Sequence, residues 1–434
     1  MPVELRRMRR WQLLTLALLV ALYAACYLCR SNFSVTLSLI QQVLVDQGYS
    51  KAEAQVRLGT ISSLGVLAYA IGKFFTGSVA DFLGGRRNIL FGMLGSVLFT
   101  VAFGLSGVVP LFTLAWFGNR LVQSFVWTGM VKVTGRWFSF GSYGTAMGVV
   151  SLSYLFGDAA ARRFMGWLLA AGLGWRGVFL VAAGVLFGLF VVVWFWLKES
   201  PLDIGEVEPP ANPLNVFGAG GEVDRPPSLR ELLLPLLTSP VFLTVCCLSL
   251  GLTLLRETFN TWSAYYFTDA LRLSQADAAN RSALFPLLGG ASVLLAGWIS
   301  DGLGQGGRAA VIFVGCFLTT GVLLVLGTAE FGAATLIPVA LVSLVGFLMI
   351  GPYSYLAGAI SLDLGGKRGS ATACGIIDGV GYLGGMAAGD TVARVTRDFG
   401  WSGTFLALGG VAAATSGVAV VFFFMQRSRV RPLL

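Results

Sequence analysis

Twelve apolar runs organise the 434 residues, at about 12–41, 57–80, 89–108, 111–133, 143–171, 177–197, 240–268, 282–300, 309–328, 332–361, 370–391 and 402–425. Stretches of this length, nearly uncharged, span the roughly 30 Å of a bilayer core as helices. The chain is 56% hydrophobic and only 12% charged, against about 25% charged for a soluble domain. A soluble enzyme of that content would aggregate, and the ten-residue alternation of an outer-membrane barrel is absent. The expected fold is therefore all-α and polytopic, with twelve transmembrane helices in two bundles of six. The one long polar stretch, rich in proline, separates them. It sets an N-terminal six-helix bundle over 1–198, a linker over 199–239 and a C-terminal six-helix bundle over 240–434.

The net charge of +9 invites a nucleic-acid partner, but the charges sit in short loops where they orient helices, so none is expected. Lys and Arg are richer on the side holding Arg6, Arg7, Arg9, Arg10, Arg86, Arg87, Lys132, Arg136, Arg308, Lys367, Arg368, Arg427, Arg429 and Arg431. That side is read as cytoplasmic, which places both termini and the linker there. The six cysteines show no metal spacing and read as small buried hydrophobes. With no histidine in the chain, histidine-based relays, metal sites and triads are excluded. No metal and no cofactor are expected, and the chain is not read as an enzyme.

An internal repeat supports the division into two sets. Gly77 is followed by Asp81, Gly84, Gly85, Arg86 and Arg87; Gly297 is followed by Asp301, Gly304 and Arg308. Each is a tight turn between helices, with a carboxylate placed to accept hydrogen bonds from backbone or arginine groups. The doubled pattern resembles the loop signature of the major facilitator superfamily, whose halves are parallel repeats around a midplane site.

Two arginines interrupt apolar runs at nearly equivalent places. Arg30 and Arg256 are 226 residues apart and Asp81 and Asp301 are 220 apart, so the arginines match between the two sets, near mid-membrane. A helix-centre arginine costs roughly 2.5–3.5 kcal/mol on insertion scales. Two guanidinium groups facing one cavity repel unless an anion lies between them, and a phosphate dianion offers oxygens to both planar forks. The competing reading is a private structural carboxylate for each, Glu257 for Arg256. Lys73 lies about two helical turns inside the membrane from Asp81, where it either joins this cavity or snorkels to the cytoplasmic face.

The stretches Tyr27–Phe33, Ala68–Ser78 with Lys73, Arg256 with Trp262, Gly351-Pro352, Gly381–Gly385 and Gly400-Trp401 resemble the organophosphate:phosphate antiporters. That family includes glycerol-3-phosphate, hexose-phosphate and glucose-6-phosphate transporters. The resemblance implies that Arg30 and Arg256 are the two phosphate-binding arginines, that Lys73 is the second-helix lysine, and that the two halves rock to exchange organic for inorganic phosphate.

The chain also departs from that pattern. The family's glycine- and proline-rich fourth run is here Gln123-Ser-Phe-Val-Trp127-Thr128-Gly129, with Arg120 added. Tyr154 stands where the glycerol-phosphate transporter carries a cavity histidine, and Asp158, Arg162 and Arg163 charge a run that is uncharged in the family. Asp158 and Arg162 are spaced to pair on one helix face; the alternative is a second anionic subsite including Arg163. Asp378 and Asp390 are further intramembrane carboxylates, Asp378 being either a partner of Arg256 or Lys73 or a substrate ligand.

The function expected is antiport of a sugar phosphate or glycerol phosphate against inorganic phosphate. Substrate would be held by Arg30, Arg256, Lys73, Tyr154, Tyr27, Trp127 and Asp378. The alternatives are a phosphate-ester sensor of the same fold and a proton-coupled organic-anion symporter. The expected partners are these small molecules and membrane lipid, the expected state a monomer. The expected location is the bacterial inner membrane, or the endoplasmic reticulum in a eukaryote.

Overall fold

The computed structural model describes residues 3–430 except Ser274, Gln305 and Ala333; the side chains of Asp390 and Arg429, and Arg431 altogether, lie outside the described set. Among the described residues all regular structure is helical. In chain order these are α1 (Val3–Val35), α2 (Leu37–Asp46), α3 (Lys51–Leu83), α4 (Gly85–Leu105), α5 (Val109–Trp137), α6 (Tyr143–Ala170) and α7 (Trp175–Trp196). There follow α8 (Leu229–Leu237), α9 (Pro240–Asp269), α10 (Gln275–Ser282), α11 (Leu284–Gly302), α12 (Gly307–Thr328), α13 (Leu336–Tyr355) and α14 (Ser361–Val430). Each of the twelve apolar runs falls mainly on helix, the tenth from Leu336 onward. Nine stretches among the described residues are long and apolar enough to cross a membrane, one of them holding both α13 and the start of α14.

Helix ends follow local chemistry. Ser50 and Glu53 form a reciprocal capping box at the start of α3, and the Ser50 backbone and hydroxyl hold the Glu53 carboxyl below its ordinary range. Thr36 separates α1 from α2, its hydroxyl donating to Asn32 O at 2.8 Å, so the first apolar run is two helices rather than one. Gly400 (φ +67°) breaks α14 into its last two spanning segments, a conformation that a side chain would strain.

The chain divides into two compact units: Met1–Phe138 with Val150–Pro209, and Ser139–Val149 with Pro210–Leu434. The opening residues of α6 thus belong with the second unit. Residues expected to form a plain linker are ordered: Glu208 pairs with Arg136 in the first unit, while Val216 N donates to Leu364 O at 2.9 Å in the second. No disulfide joins the six cysteines; five are buried, and Cys247, expected inside, is exposed on α9.

In the first unit α5 is the hub, packing on α3 and α4. Glycines let the backbones close up, as small residues do where no hydrophobic effect drives helices together. A Cβ on Gly65 would meet Trp116 Nε1 at 2.4 Å, and one on Gly72 would meet Ser124 Oγ at 2.3 Å. Both glycines lie on α3 and both neighbours on α5. An aromatic core of Phe33, Phe103, Phe112, Trp116, Trp175 and Phe179 braces one end. In the second unit α9 and α12 pack on α14, and α11 on α13, with Gly251 against Thr415 and Gly384 against the Leu250 carbonyl.

Candidate functional site

The α3–α5 crossing decides where the first unit keeps its charge. Tyr69 is buried on α3, and three cations from three helices surround its ring. Arg30 of α1 lies with Cζ 4.6 Å from the ring centroid, Lys73 of α3 with Nζ at 4.9 Å and Arg120 of α5 with Cζ at 4.9 Å. The electron-rich face of a tyrosine attracts cations by roughly 0.5–2 kcal/mol each, more where water is excluded. Arg30 also lies 5.2 Å from the Tyr27 ring. Tyr27 stands edge-on to Tyr23, which packs 5.2 Å from the buried Trp127. Lys73 is only 1% exposed, so its ammonium lies within the bundle rather than snorkelling to the rim.

Arg30 and Arg120 open onto one cavity of about 290 Å³, lined also by Tyr27, Ser31, Ser34, Trp116, Asp158 and Arg162. That is the size of the smallest ligand pockets, which run from roughly 300 to 1,000 Å³. At its edge Arg162 Nε donates to Asp158 Oδ2 at 2.9 Å and Nη1 to Ser34 Oγ at 3.3 Å, while the Ser31 hydroxyl donates to Asp158. The pair is half-exposed and tied to the helix that carries Arg30. Arg163 is exposed beside it, and Tyr154 is half-buried one turn earlier on α6.

Arg256 sits in the second unit. Its guanidinium bonds the adjacent Glu257, with Nε donating at 3.1 Å, and lies 4.1 Å from the Tyr353 ring. Trp262 Nε1 donates to Ala388 O at 2.8 Å, fixing α9 to α14, and Asp378 is half-buried on α14.

The two turn motifs differ in what their carboxylates hold. Asp81 pairs with Lys132 Nζ at 3.1 Å, both buried. The start of α4 is instead capped by Glu199, which accepts from Gly85 N at 2.8 Å and Arg86 N at 2.6 Å. Gly77 is buried beside that turn and Arg87 is exposed; Arg86 Nε donates to Leu197 O at 2.7 Å. Asp301 itself caps a helix: it accepts from Gly144 N at 3.1 Å and from Thr145 N and Oγ1, each at 2.7 Å. It also takes Arg308 Nη2 at 3.1 Å, and Arg308 bridges on to Asp363. Gly297 permits this, since a Cβ there would meet the Gly144 carbonyl at 2.7 Å.

Two residues of the cation cluster escaped the sequence reading as site residues, Tyr69 and Arg120. Their signals were present: Tyr69 is one turn before Lys73, and Arg120 is a charge inside an apolar run.

Residues 10–389 match the Major Facilitator Superfamily. The chain is 27% identical over 413 residues to "Probable hexose phosphate transport protein" of Chlamydia trachomatis serovar D, covering 92% of this chain and 88% of the relative. It is 30% identical over 394 residues to "Sugar phosphate exchanger 3" of Homo sapiens, covering 82% and 78%. Among solved structures, the human organic anion transporter MFSD10 (TETRAN) superposes with a TM-score of 0.69 at 15% identity, over 96% of this chain and 100% of that one. The proton:xylose symporter XylE superposes at 0.70 with 14% identity, over 93% and 94%. At that identity the two structures bear on the fold alone. The chain belongs to the major facilitator superfamily.

Proposed function

We propose that this chain is a secondary transporter, not an enzyme, which exchanges an organic phosphate of the sugar-phosphate class for inorganic phosphate by alternating access. The observation that carries the reading is the gathering of Arg30, Lys73 and Arg120 around Tyr69 beside an open cavity. Guanidinium forks and an ammonium in a water-poor bundle suit a phosphate dianion. The printed functions of the relatives, hexose phosphate transport and sugar phosphate exchange, lend the same support.

Arg30 is the phosphate ligand of the first unit, and Arg256 its counterpart in the second by sequence symmetry. Glu257 holds Arg256 until substrate competes for it. Tyr27, Trp127, Tyr154 and Asp378 serve the organic moiety. Exchange follows from charge: a carrier that must close over clustered cations does so readily only with an anion aboard. Both termini lie in the cytoplasm, the chain works as a monomer among lipid, and the membrane is the bacterial inner membrane or, in a eukaryote, the endoplasmic reticulum.

The test is counterflow. Purified protein in vesicles loaded with phosphate should take up labelled phosphate, and external glucose 6-phosphate or glycerol 3-phosphate should compete. Uptake that no organic phosphate inhibits would overturn the reading.

A further inference from the structure

One turn of α1 and one of α6 carry a ladder of four polar side chains. Ser31 and Ser34 are three residues apart on α1, and Asp158 and Arg162 four apart on α6, so each pair projects from one helix face. The Ser31 hydroxyl donates to Asp158 Oδ1, and Arg162 Nε donates to Oδ2 of the same carboxylate at 2.9 Å. Arg162 Nη1 donates to Ser34 Oγ at 3.3 Å, and the Ser34 hydroxyl donates to the Ser31 carbonyl at 2.9 Å. Both hydroxyl protons of the ladder thus have a set direction, and the four side chains are ordered before any ligand arrives.

All four line the cavity onto which Arg30 opens, and the two kinds of lining suit different chemistry. A guanidinium fork suits phosphate oxygens. Asp158 and Arg162 form a bonded pair of opposite charges, which sets a strong acceptor and a strong donor side by side. A neutral hydroxyl is donor and acceptor at once and matches that arrangement, and adjacent hydroxyls match it twice. Each Asp158 oxygen takes one donor among the described residues, whereas a carboxylate has about four lone-pair sites. A ligand hydroxyl can therefore join the ladder without breaking it. The Asp158 carboxylate also repels a phosphate dianion, so a phosphate ester enters with its phosphate towards Arg30 and its hydroxyls towards the ladder.

We propose that Ser31, Ser34, Asp158 and Arg162 form a hydroxyl subsite, in which Asp158 accepts from, and Arg162 donates to, the hydroxyls of a polyhydroxylated phosphate ester. This deepens the reading of the chain as an organic-phosphate carrier and rests on it. Inorganic phosphate has no polyhydroxylated part to place on the ladder. The four side chains are thus what tells the organic substrate from the inorganic one, and a sugar phosphate from an ester with an apolar tail.

The experiment compares glucose 6-phosphate with cyclohexylmethyl phosphate, which has a six-membered ring, methylene and phosphate but no hydroxyl. Each is titrated against the detergent-purified full chain, with thermal stabilisation as the binding readout and inorganic phosphate as a third probe. The wild type should bind glucose 6-phosphate at least about tenfold more tightly than the cyclohexyl ester, the worth of one hydrogen bond to a charged group. In Asp158→Asn that ratio should fall at least about fivefold. Both esters carry the same phosphate, so a general change of charge in the cavity cancels from the ratio. The loss for glucose 6-phosphate should also exceed any loss for inorganic phosphate by about fivefold or more.

Equal affinities for the two esters in the wild type overturn the proposal without any variant. A wild-type ratio in Asp158→Asn overturns it too. So does a variant that weakens all three probes alike, since Asp158 would then only position its neighbour Ser31 and, through it, Arg30. If Asp158→Asn does not fold, Asp158→Leu with Arg162→Met removes the pair without stranding either charge: a reduced ratio supports the subsite and an unchanged one counts against it. A wild type that binds none of the three probes fails the organic-phosphate reading and this proposal with it. Vesicles that show no phosphate exchange would sink the transport reading alone, because the affinity ratio is measured without flux.

Discussion

In the proposed exchange, Arg30 and Tyr69, whose side chains meet at 4.6 Å, act by shape as well as by charge. Arg30→Lys keeps the charge and loses the planar fork, so phosphate exchange should fall by about tenfold or more, since a hydrogen bond to a charged group contributes about 1.5–3 kcal/mol. Exchange at the wild-type rate would remove the fork from the account. Tyr69 is tested by a pair of variants. Tyr69→Phe keeps an aromatic face for the three cations and should retain most of the exchange, whereas Tyr69→Leu removes that face and should lose it. Equal rates in the two would show that the ring only fills space. Arg30 could be singled out in the sequence because a charge in an apolar run costs energy that must be recovered elsewhere. Tyr69 carried a weaker signal, its place one turn before Lys73, because an aromatic residue in a membrane helix is ordinarily packing; its three cationic neighbours from separate helices give that spacing its meaning.

At the scale of the helix, the site depends on how closely α3 approaches α5. Gly65→Val would push its side chain into Trp116 and the Arg120 stem. It should lower the melting temperature in detergent and weaken phosphate binding, in line with the roughly 1–3 kcal/mol of overpacking. Gly59→Val, on the same helix with nothing within 4 Å of its Cβ, is the control and should change neither property by much. If both variants melt alike, close approach is not what the glycine provides.

The buried Asp81–Lys132 pair gives a second test at this scale. Asp81→Asn removes the carboxylate charge that faces the buried Lys132 ammonium and should destabilise by about 3–5 kcal/mol. The double variant Asp81→Leu with Lys132→Met should recover most of that stability, because an apolar pair carries no desolvation cost. Unfolding in denaturant measures both, and a double variant no better than the single one would contradict the ion-pair account. The repeat of Gly77–Asp81 in Gly297–Asp301 was plain in the sequence. What each carboxylate binds was not: one holds a lysine and the other caps α6, because partner choice depends on which helix end the fold brings near.

For the whole molecule the decisive test of the proposed exchange is whether it is obligatory. Vesicles loaded with labelled phosphate should leak it slowly into phosphate-free buffer and rapidly when external phosphate or organic phosphate is supplied. Equal efflux in both conditions would count against a carrier that closes only when loaded. Uptake driven by a pH gradient in phosphate-free vesicles would instead favour proton coupling, with Asp158 or Asp378 as the carrier group.

The amino-acid sequence alone determined the all-α membrane architecture, since backbone polar groups inside a bilayer must bond within their own helix. It also carried an internal repeat, a turn motif written twice, and it marked Arg30, Lys73 and Arg256 as costly charges inside apolar runs. Tertiary structure alone decided which charges meet. Residues 30, 69, 73 and 120 lie on three helices; spacing pairs only Tyr69 with Lys73, and nothing in it brings Arg30 and Arg120 to the same ring. Gly65 and Gly72 do that by letting α3 close on α5, and the same packing leaves Asp158 and Arg162 to each other. Local chemistry sets where a helix starts, stops and hides its backbone; only the packing of helices sets which side chains share one dry, charged space.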